Sequence, residues 1–395
     1  MRAYSASTEE TLRARSLLKD WAGEGLLTEA QHQRMEQETV CELRRVNIFL
    51  RLVLFLFTLI VVGAATGLFF VVFLSQPSEQ TTSIFLLIFA ALSYTAAEFA
   101  VSKARLYRHG IEEALLACSV VFLCMGLQIV LQRSGMQFLV PAAGAMVSLW
   151  IWWRFGLPYA FLAAMLFVFW LPDHWTSSPT AQHLIVAALY AAGLIIIAAV
   201  RVRHRFTYLD NVYSIVEALL WLGIYLAINL QLSSVNLLEH WWSGSLLAPP
   251  EFSRPVYWAT WVMIWCLPPA ALARGVRRKD RLVIAAGAIA ATFTLVTNKP
   301  YLGWQRHTWD PMLLGAVLIG AALFIRRWLA AGPGGIRHGF TAHRLSGKDK
   351  HWINIGASAA GLVWPHAIAP TPSTASPQAH FDGGDSGGGG ATSDF

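Results

Sequence analysis

Ile48-Phe49-Leu50-Arg51-Leu52-Val53-Leu54-Phe55-Leu56-Phe57-Thr58-Leu59-Ile60-Val61-Val62-Gly63-Ala64-Ala65-Thr66-Gly67-Leu68-Phe69-Phe70-Val71-Val72-Phe73-Leu74 carries a single charge, Arg51, near its start. About 20 such residues cross the ~30 Å of hydrocarbon in a bilayer as a helix. The run is continuous and does not alternate, which excludes a lipid-facing β-strand. Similar runs recur along the chain. Hydrophobic residues make up 55% of the 395 residues and charged residues 13%, against about 25% charge in soluble globular proteins. The fold class expected is all-α: a polytopic helical membrane protein of about ten transmembrane helices.

The expected spans are 48–74, 83–102, 111–131, 136–153, 157–171, 183–200, 212–231, 256–273, 282–297 and 311–328. The fifth is short. With a cytoplasmic N-terminus, the inner loops carry Lys103, Arg105 and Arg108, then Arg154, then Arg201, Arg203 and Arg205, then Arg274, Arg277, Arg278, Lys279 and Arg281. The outer loops carry only Arg133, Arg254, Lys299 and Arg306, so 4 of the 30 Lys and Arg lie outside and 26 inside or at inner helix ends. This bias orients the chain with both termini in the cytoplasm, and adding or removing one span would scramble it. It also accounts for the net charge of +7 without a nucleic-acid partner.

Four domains are expected: a cytoplasmic helical hairpin over 1–47, the transmembrane domain over 48–328, a basic, interfacial segment over 329–368, and a disordered Pro/Ser/Gly-rich tail over 369–395. In the hairpin, Leu12, Leu17, Leu18 and Trp21 form the apolar stripe of a helix over 9–22, which Gly23 and Gly25 end. Thr28 and Gln31 read as the capping box of the next helix. Small residues four apart, Gly63/Gly67, Ala187/Ala191, Ala286/Ala290 and Ala316/Gly320, suit close helix packing within the chain or in a homo-oligomer. Cys41, Cys118, Cys124 and Cys266 lack metal-ligand spacing and read as reduced. The serine-protease-like Gly384-Asp385-Ser386-Gly387-Gly388 lies in the tail, without the barrels, aspartate and histidine that such a serine needs.

Ionisable residues inside spans are candidate functional sites. Arg51, Glu98, Glu112, Glu113 and Glu217 fall within about two turns of the inner ends. Glu112 and Glu113 suit the dipole of the third span. Glu217 is the deepest acid and the candidate for a proton, ion or substrate. Transporter sites lie at the midplane beside broken helices. Pro141 and Gly144 are there, without a charged neighbour.

The loop Asn298–Pro311 is the densest group of reactive side chains on the outer face. Arg306, His307 and Asp310 are its candidate catalytic residues, and Lys299, Trp304 and Trp309 its candidate substrate-binding residues. Two further outer loops pair a histidine with an acid and a tryptophan, at Asp173-His174-Trp175 and Glu239-His240-Trp241. If the loops converge, His174, His240 and His307 are metal candidates. Otherwise Lys299 and Arg306 suit a lipid or carrier phosphate, with His307 or Asp310 as acid or base. No motif assigns a metal or cofactor here, and none is expected.

The pattern Leu17-Leu18-x-x-Trp21, then Gly25-Leu26-Leu27-Thr28-x-x-Gln31, a basic segment and a long first span resembles the start of the bacterial membrane family "domain of unknown function 2157". The resemblance covers residues 10–75, reaching toward 130. It implies a multi-pass bacterial inner-membrane protein with a cytoplasmic helical start, and supplies no activity. Three functions are therefore expected in order: a non-enzymatic scaffold, sensor or partner subunit of the envelope, meeting protein partners through hairpin and tail; an enzyme on a lipid-linked or envelope substrate at the 298–311 loop; and a transporter using Glu217.

Overall fold

A computed structural model describes residues 3–23, 27–39, 46–73, 78–132, 134–203, 210–233, 253–302, 309–333, 336–337 and 340–341. The chain divides into one compact unit over Met1–Ala342 and another over His343–Phe395. The second unit, and with it the expected tail, lies outside the described residues.

Helices dominate. The first pair is α1 (Ala6–Gly23) and α2 (Glu29–Glu38). The expected capping box is present: Gln31 N–H donates to Thr28 Oγ1 at 3.3 Å, and Thr28 N–H to Gln31 Oε1 at 3.0 Å. Arg15 joins the two helices through Glu36 at 3.2 Å. Then follow α3 (Ile48–Phe73), α4 (Glu79–Ser102), α5 (Ile111–Leu131), α6 (Leu139–Phe155), α7 (Pro158–Trp170), a 3₁₀ turn (Leu171–His174), α8 (Pro179–Arg203), α9 (Asp210–Ile228) and the single turn α10 (Leu230–Ser233). The last are α11 (Arg254–Arg278), α12 (Arg281–Tyr301) and α13 (Asp310–Ala330), followed by the two-residue antiparallel strands β1 (Ile336–Arg337) and β2 (Phe340–Thr341).

Nine of the ten apolar runs each fall on one helix, and 212–231 runs through α9 into the single turn α10. Seven of these helices are long and apolar enough to cross a membrane: α3, α4, α5, α8, α11, α12 and α13. The other three, α6, α7 and α9, are shorter, with α7 spanning 13 residues. Many large apolar side chains on the long helices face outward, as on α3 and α13, which suits hydrocarbon as the surrounding medium.

Neighbouring helices pack as hairpins: α4 on α5, α6 on α7, α8 on α9, and α11 on α12. Helix α9 also meets α7, α11 and α12. Its residues Tyr213, Val216, Leu220, Ile224 and Tyr225 are buried at helical spacing. The expected small-residue contacts divide. Ala187, Ala286 and Ala290 are buried within the chain, whereas Gly63, Gly67 and Gly320 meet nothing within 4 Å of where a Cβ would stand.

One end of the bundle gathers the basic loops. Ala3 N–H donates to Arg154 O at 2.8 Å, and the Tyr4 hydroxyl to Leu106 O at 3.3 Å. Trp152 packs edge-on to Tyr213, with ring centroids 6.0 Å apart. The N-terminal strap of Ala3 and Tyr4 therefore bridges the α4–α5 loop to the end of α6, beside the start of α9.

Candidate functional site

Glu217 lies on the buried stripe of α9, between Tyr213 and Leu220, so the helix period forces its carboxylate inward. It is 0% exposed. A carboxylate there demands charge and hydrogen bonds in compensation. Arg201, in the last turn of α8, donates from Nη1 to Glu217 Oε2 at 2.8 Å and from Nε to Asp210 Oδ1 at 2.8 Å. Arg274 donates from Nε to Glu217 Oε1, and Arg278, four residues on along α11, brings its Nη1 within 3.6 Å of Oε2.

Asp280 joins the cluster from the turn between α11 and α12. It caps α12 by accepting from Leu282 N at 3.0 Å and Val283 N at 3.3 Å. The same carboxylate accepts the Ser214 hydroxyl at 2.7 Å and pairs with Arg201. Burial pushes the Asp280 carboxyl up, but the Ser214 and Arg201 hydrogen bonds and the Arg201 charge outweigh it and hold it below the usual carboxylate range. Arg201, Arg274 and Arg278 thus face Asp210, Glu217 and Asp280, and the formal charges cancel.

Two more pairs tie the same end. Glu98 on α4 accepts from Arg154 on α6 at 2.9 and 3.1 Å, and also from the Tyr94 hydroxyl, which itself accepts from Trp150 Nε1 at 2.8 Å. Arg51 on α3 holds Glu113 on α5 from Nε at 2.8 Å and from Nη2. Gly110, at φ +101°, starts α5 so close to α3 that a Cβ would stand 2.2 Å from Arg51 O.

Toward the other end, α9, α11 and α12 share a neutral polar ladder. Asn229 Nδ2 donates to Tyr225 Oη at 2.9 Å and to Thr297 Oγ1 at 3.0 Å. Tyr225 and Thr294 hydroxyls lie 2.9 Å apart. Trp261 and Trp265 donate to Asn298 Oδ1 at 3.1 and 3.3 Å. Between Glu217 and Tyr225 the buried stripe is Leu220 and Ile224. About 12 Å of apolar helix therefore separates ladder and charged cluster along α9.

The ladder ends at the sequence-predicted loop. Lys299 pairs with Asp310, and its ammonium stands 5.2 Å from the Trp309 ring centroid. Three expected site residues are thus together, with the lysine and aspartate engaged with each other. His174 is exposed at the end of the 3₁₀ turn. Trp304, Arg306, His307 and His240 lie outside the described residues. Among the described residues, no group of three or more His, Cys, Asp or Glu is placed to hold a metal ion.

Sequence reading singled out Glu217 as the deepest acid. It did not name Arg201, Asp210, Ser214, Asp280, Arg274 and Arg278 as the cluster around it. Asp280 had a signal, an aspartate just ahead of an apolar run. The i, i+4 spacing of Arg274 and Arg278 was another. Nothing local showed that both reach α9.

No family model matches the chain, and no curated protein or solved structure does either. Its class rests on the fold: a mainly helical protein with seven helices long and apolar enough to cross a membrane and a buried charged cluster at one end of its helices.

Proposed function

We propose that this chain is a multi-pass bacterial inner-membrane protein acting as a non-enzymatic scaffold or partner subunit, with the arginine–carboxylate cluster at the cytoplasmic face as its structural lock. The observation that carries this reading is the state of Glu217. Both its oxygens are engaged by arginines from two other helices. A carboxylate so held is suited to fixing helix positions and poorly suited to exchanging ions. The basic loops at that end favour the cytoplasm, and the strap seats the N-terminal hairpin there, where partners would meet it.

The test is native mass spectrometry after mild extraction. A stoichiometric protein partner, retained by the full chain and lost on deleting residues 1–39, is expected. Glu217-dependent proton or ion flux in liposomes would overturn the reading in favour of transport. Reporter fusions after Ser177 and Gly303 are expected outside; a cytoplasmic signal at either would overturn the orientation.

A second reading has its own observation. Lys299, in the last turn of α12, meets Trp309 and Asp310 at the start of α13, the arrangement that an outer-face enzyme on a lipid-linked substrate would build upon. Turnover of such a substrate, lost in Asp310→Asn and retained in Glu217→Gln, would select it.

A further inference from the structure

Pro268 and Pro269 stand side by side in the middle of α11, which continues through them from Arg254 to Arg278. A proline inside a helix has no N–H for the carbonyl four residues earlier. The carbonyl that Pro268 leaves is Ile264 O. Ile264 is 0% exposed, and a buried carbonyl without a donor is costly. The donor comes from the neighbouring helix: the Thr294 hydroxyl of α12 reaches Ile264 O at 2.9 Å. Hydroxyls of this kind are one means by which proline is accommodated within a membrane span.

Thr294 has one proton and two carbonyls in reach, Ile264 O and, one turn back in its own helix, Ala290 O, also at 2.9 Å. Ala290 O already has the Thr294 backbone N–H as its helical partner. Ile264 O has no such partner, so the hydroxyl proton stabilises more there. The rest of the ladder sets the same direction. Asn229 Oδ1 accepts the Gln231 N–H at 3.2 Å, which turns the amide nitrogen toward Tyr225 and Thr297. Tyr225 Oη accepts from Asn229 and gives its own proton to Thr294 Oγ1, 2.9 Å away. Thr294 thus accepts from Tyr225 and donates to Ile264 O.

The two halves of α11 are held by different means. After the prolines, the backbones of α11 and α12 come close together. A Cβ on Gly275 would stand 2.8 Å from Ile284 N, and one on Gly287 3.0 Å from Leu272 N. Arg274 and Arg278 hold Glu217 from the same half. Before the prolines the polar ties are neutral: Thr294 to Ile264 O, Trp261 and Trp265 to Asn298, and Gln231 to the Tyr257 hydroxyl at 3.4 Å. Trp258, Val262, Met263 and Trp265 on this half are exposed.

We propose that α11 is a latched hinge. Pro268 and Pro269 are its pivot. The close backbone packing and the arginine–carboxylate cluster fix residues 270–278. The Thr294 hydroxyl, aimed by Tyr225 and Asn229, is the latch that holds residues 254–267 against α12. Releasing it lets the first half swing while the second stays in place. Asn298 is tied to the first half and adjoins Lys299, so the swing passes to the Lys299–Asp310 pair. A swing of about 20° at the prolines moves Ala259, two and a half turns before Pro268, by about 5 Å.

The test uses the full chain in lipid nanodiscs, with its cysteines replaced by serine. Spin labels on Ala259→Cys and Leu184→Cys report the first half of α11 against α8. Labels on Val276→Cys and Val202→Cys report the second half. All four positions are exposed. Thr294→Val removes the hydroxyl at nearly constant volume. It is expected to broaden the first distance distribution by about 5 Å and to leave the second unchanged. Thr294→Ser should keep the parent distribution. Pro268→Ala gives Ile264 O a backbone donor, so Thr294→Val on that background should leave both distributions narrow. Tyr225 loses its acceptor in either background, so the difference between them reports Ile264 O alone. A first distribution unmoved by Thr294→Val, or broadened equally with Pro268→Ala, overturns the proposal. Broadening of both distributions together overturns it as well. If Thr294→Val does not fold, Pro268→Ala must restore folding, and a chain that it does not restore also overturns the hinge.

Discussion

Arg201 and Glu217 meet at 2.8 Å across the α8–α9 interface, the arginine 7% and the glutamate 0% exposed at the side chain. Removing one partner strands the other. Glu217→Leu is expected to destabilise the protein by about 3–5 kcal/mol, because Arg201, Arg274 and Arg278 lose their shared counter-charge. Adding Arg274→Leu should recover a substantial part, since an apolar replacement of both members lifts the desolvation penalty. Thermal unfolding in detergent measures both. A single variant as stable as the parent would refute the lock.

Asp280 makes that end sensitive to acid in one direction. Its carboxyl is held below the usual range in the folded chain. The stability it adds is complete above the ordinary aspartate value of about 3.9 and fades as pH falls through the folded value, where protonation breaks the Arg201 pair. Melting temperature should therefore lose an acid-side component in Asp280→Asn relative to the parent, with the parent's advantage greatest near neutrality. An advantage that persists undiminished at the lowest attainable pH would contradict this.

Gly110 has no room for a side chain. At φ +101° with Arg51 O in the way, Gly110→Ala must both strain the turn and push α5 from α3. A loss of at least about 2 kcal/mol is expected. Cysteine cross-linking between α3 and α5 should weaken in parallel, and unchanged cross-linking would show that the close approach is dispensable.

Asn229 anchors the neutral ladder. Asn229→Ala leaves the buried Tyr225 and Thr297 hydroxyls each short of a donor, at a cost of about 1–3 kcal/mol. Tyr225→Phe on that background should cost little more, as the two share one network. Additive losses in the double variant would break the network apart.

Lys299 and Asp310 retain access to water, with side chains 29% and 19% exposed. Each single alanine variant should change stability by about 1 kcal/mol or less. A larger loss would give the pair a structural weight comparable with the Glu217 cluster.

The helices were legible because a run of apolar residues is long, local and unlike anything else in a chain. The 48–74 stretch became α3, and the short 157–171 run became the shortest of the apolar helices, α7. Thr28 and Gln31 announced their capping box for the same reason: both partners lie within one turn. The site was legible only as far as single residues. Glu217 stood out as a deep acid, yet two of its three partners, Arg274 and Arg278, sit 57 and 61 residues away along the chain and reach it through helix packing. Glu112 read as a helix-dipole residue because nothing local showed that its Oε2 would be buried without a partner.

The strap also fixes an order of events at birth. Tyr4 leaves the ribosome about 150 residues before Arg154, whose carbonyl receives the Ala3 amide. At about 5–20 residues per second, that is some 8–30 seconds of synthesis. Throughout that interval the first residues made have no seat, and the ends of α4, α5 and α6 must be assembled before they acquire one. Closure of the strap is thus a late step of biogenesis performed by the earliest part of the chain.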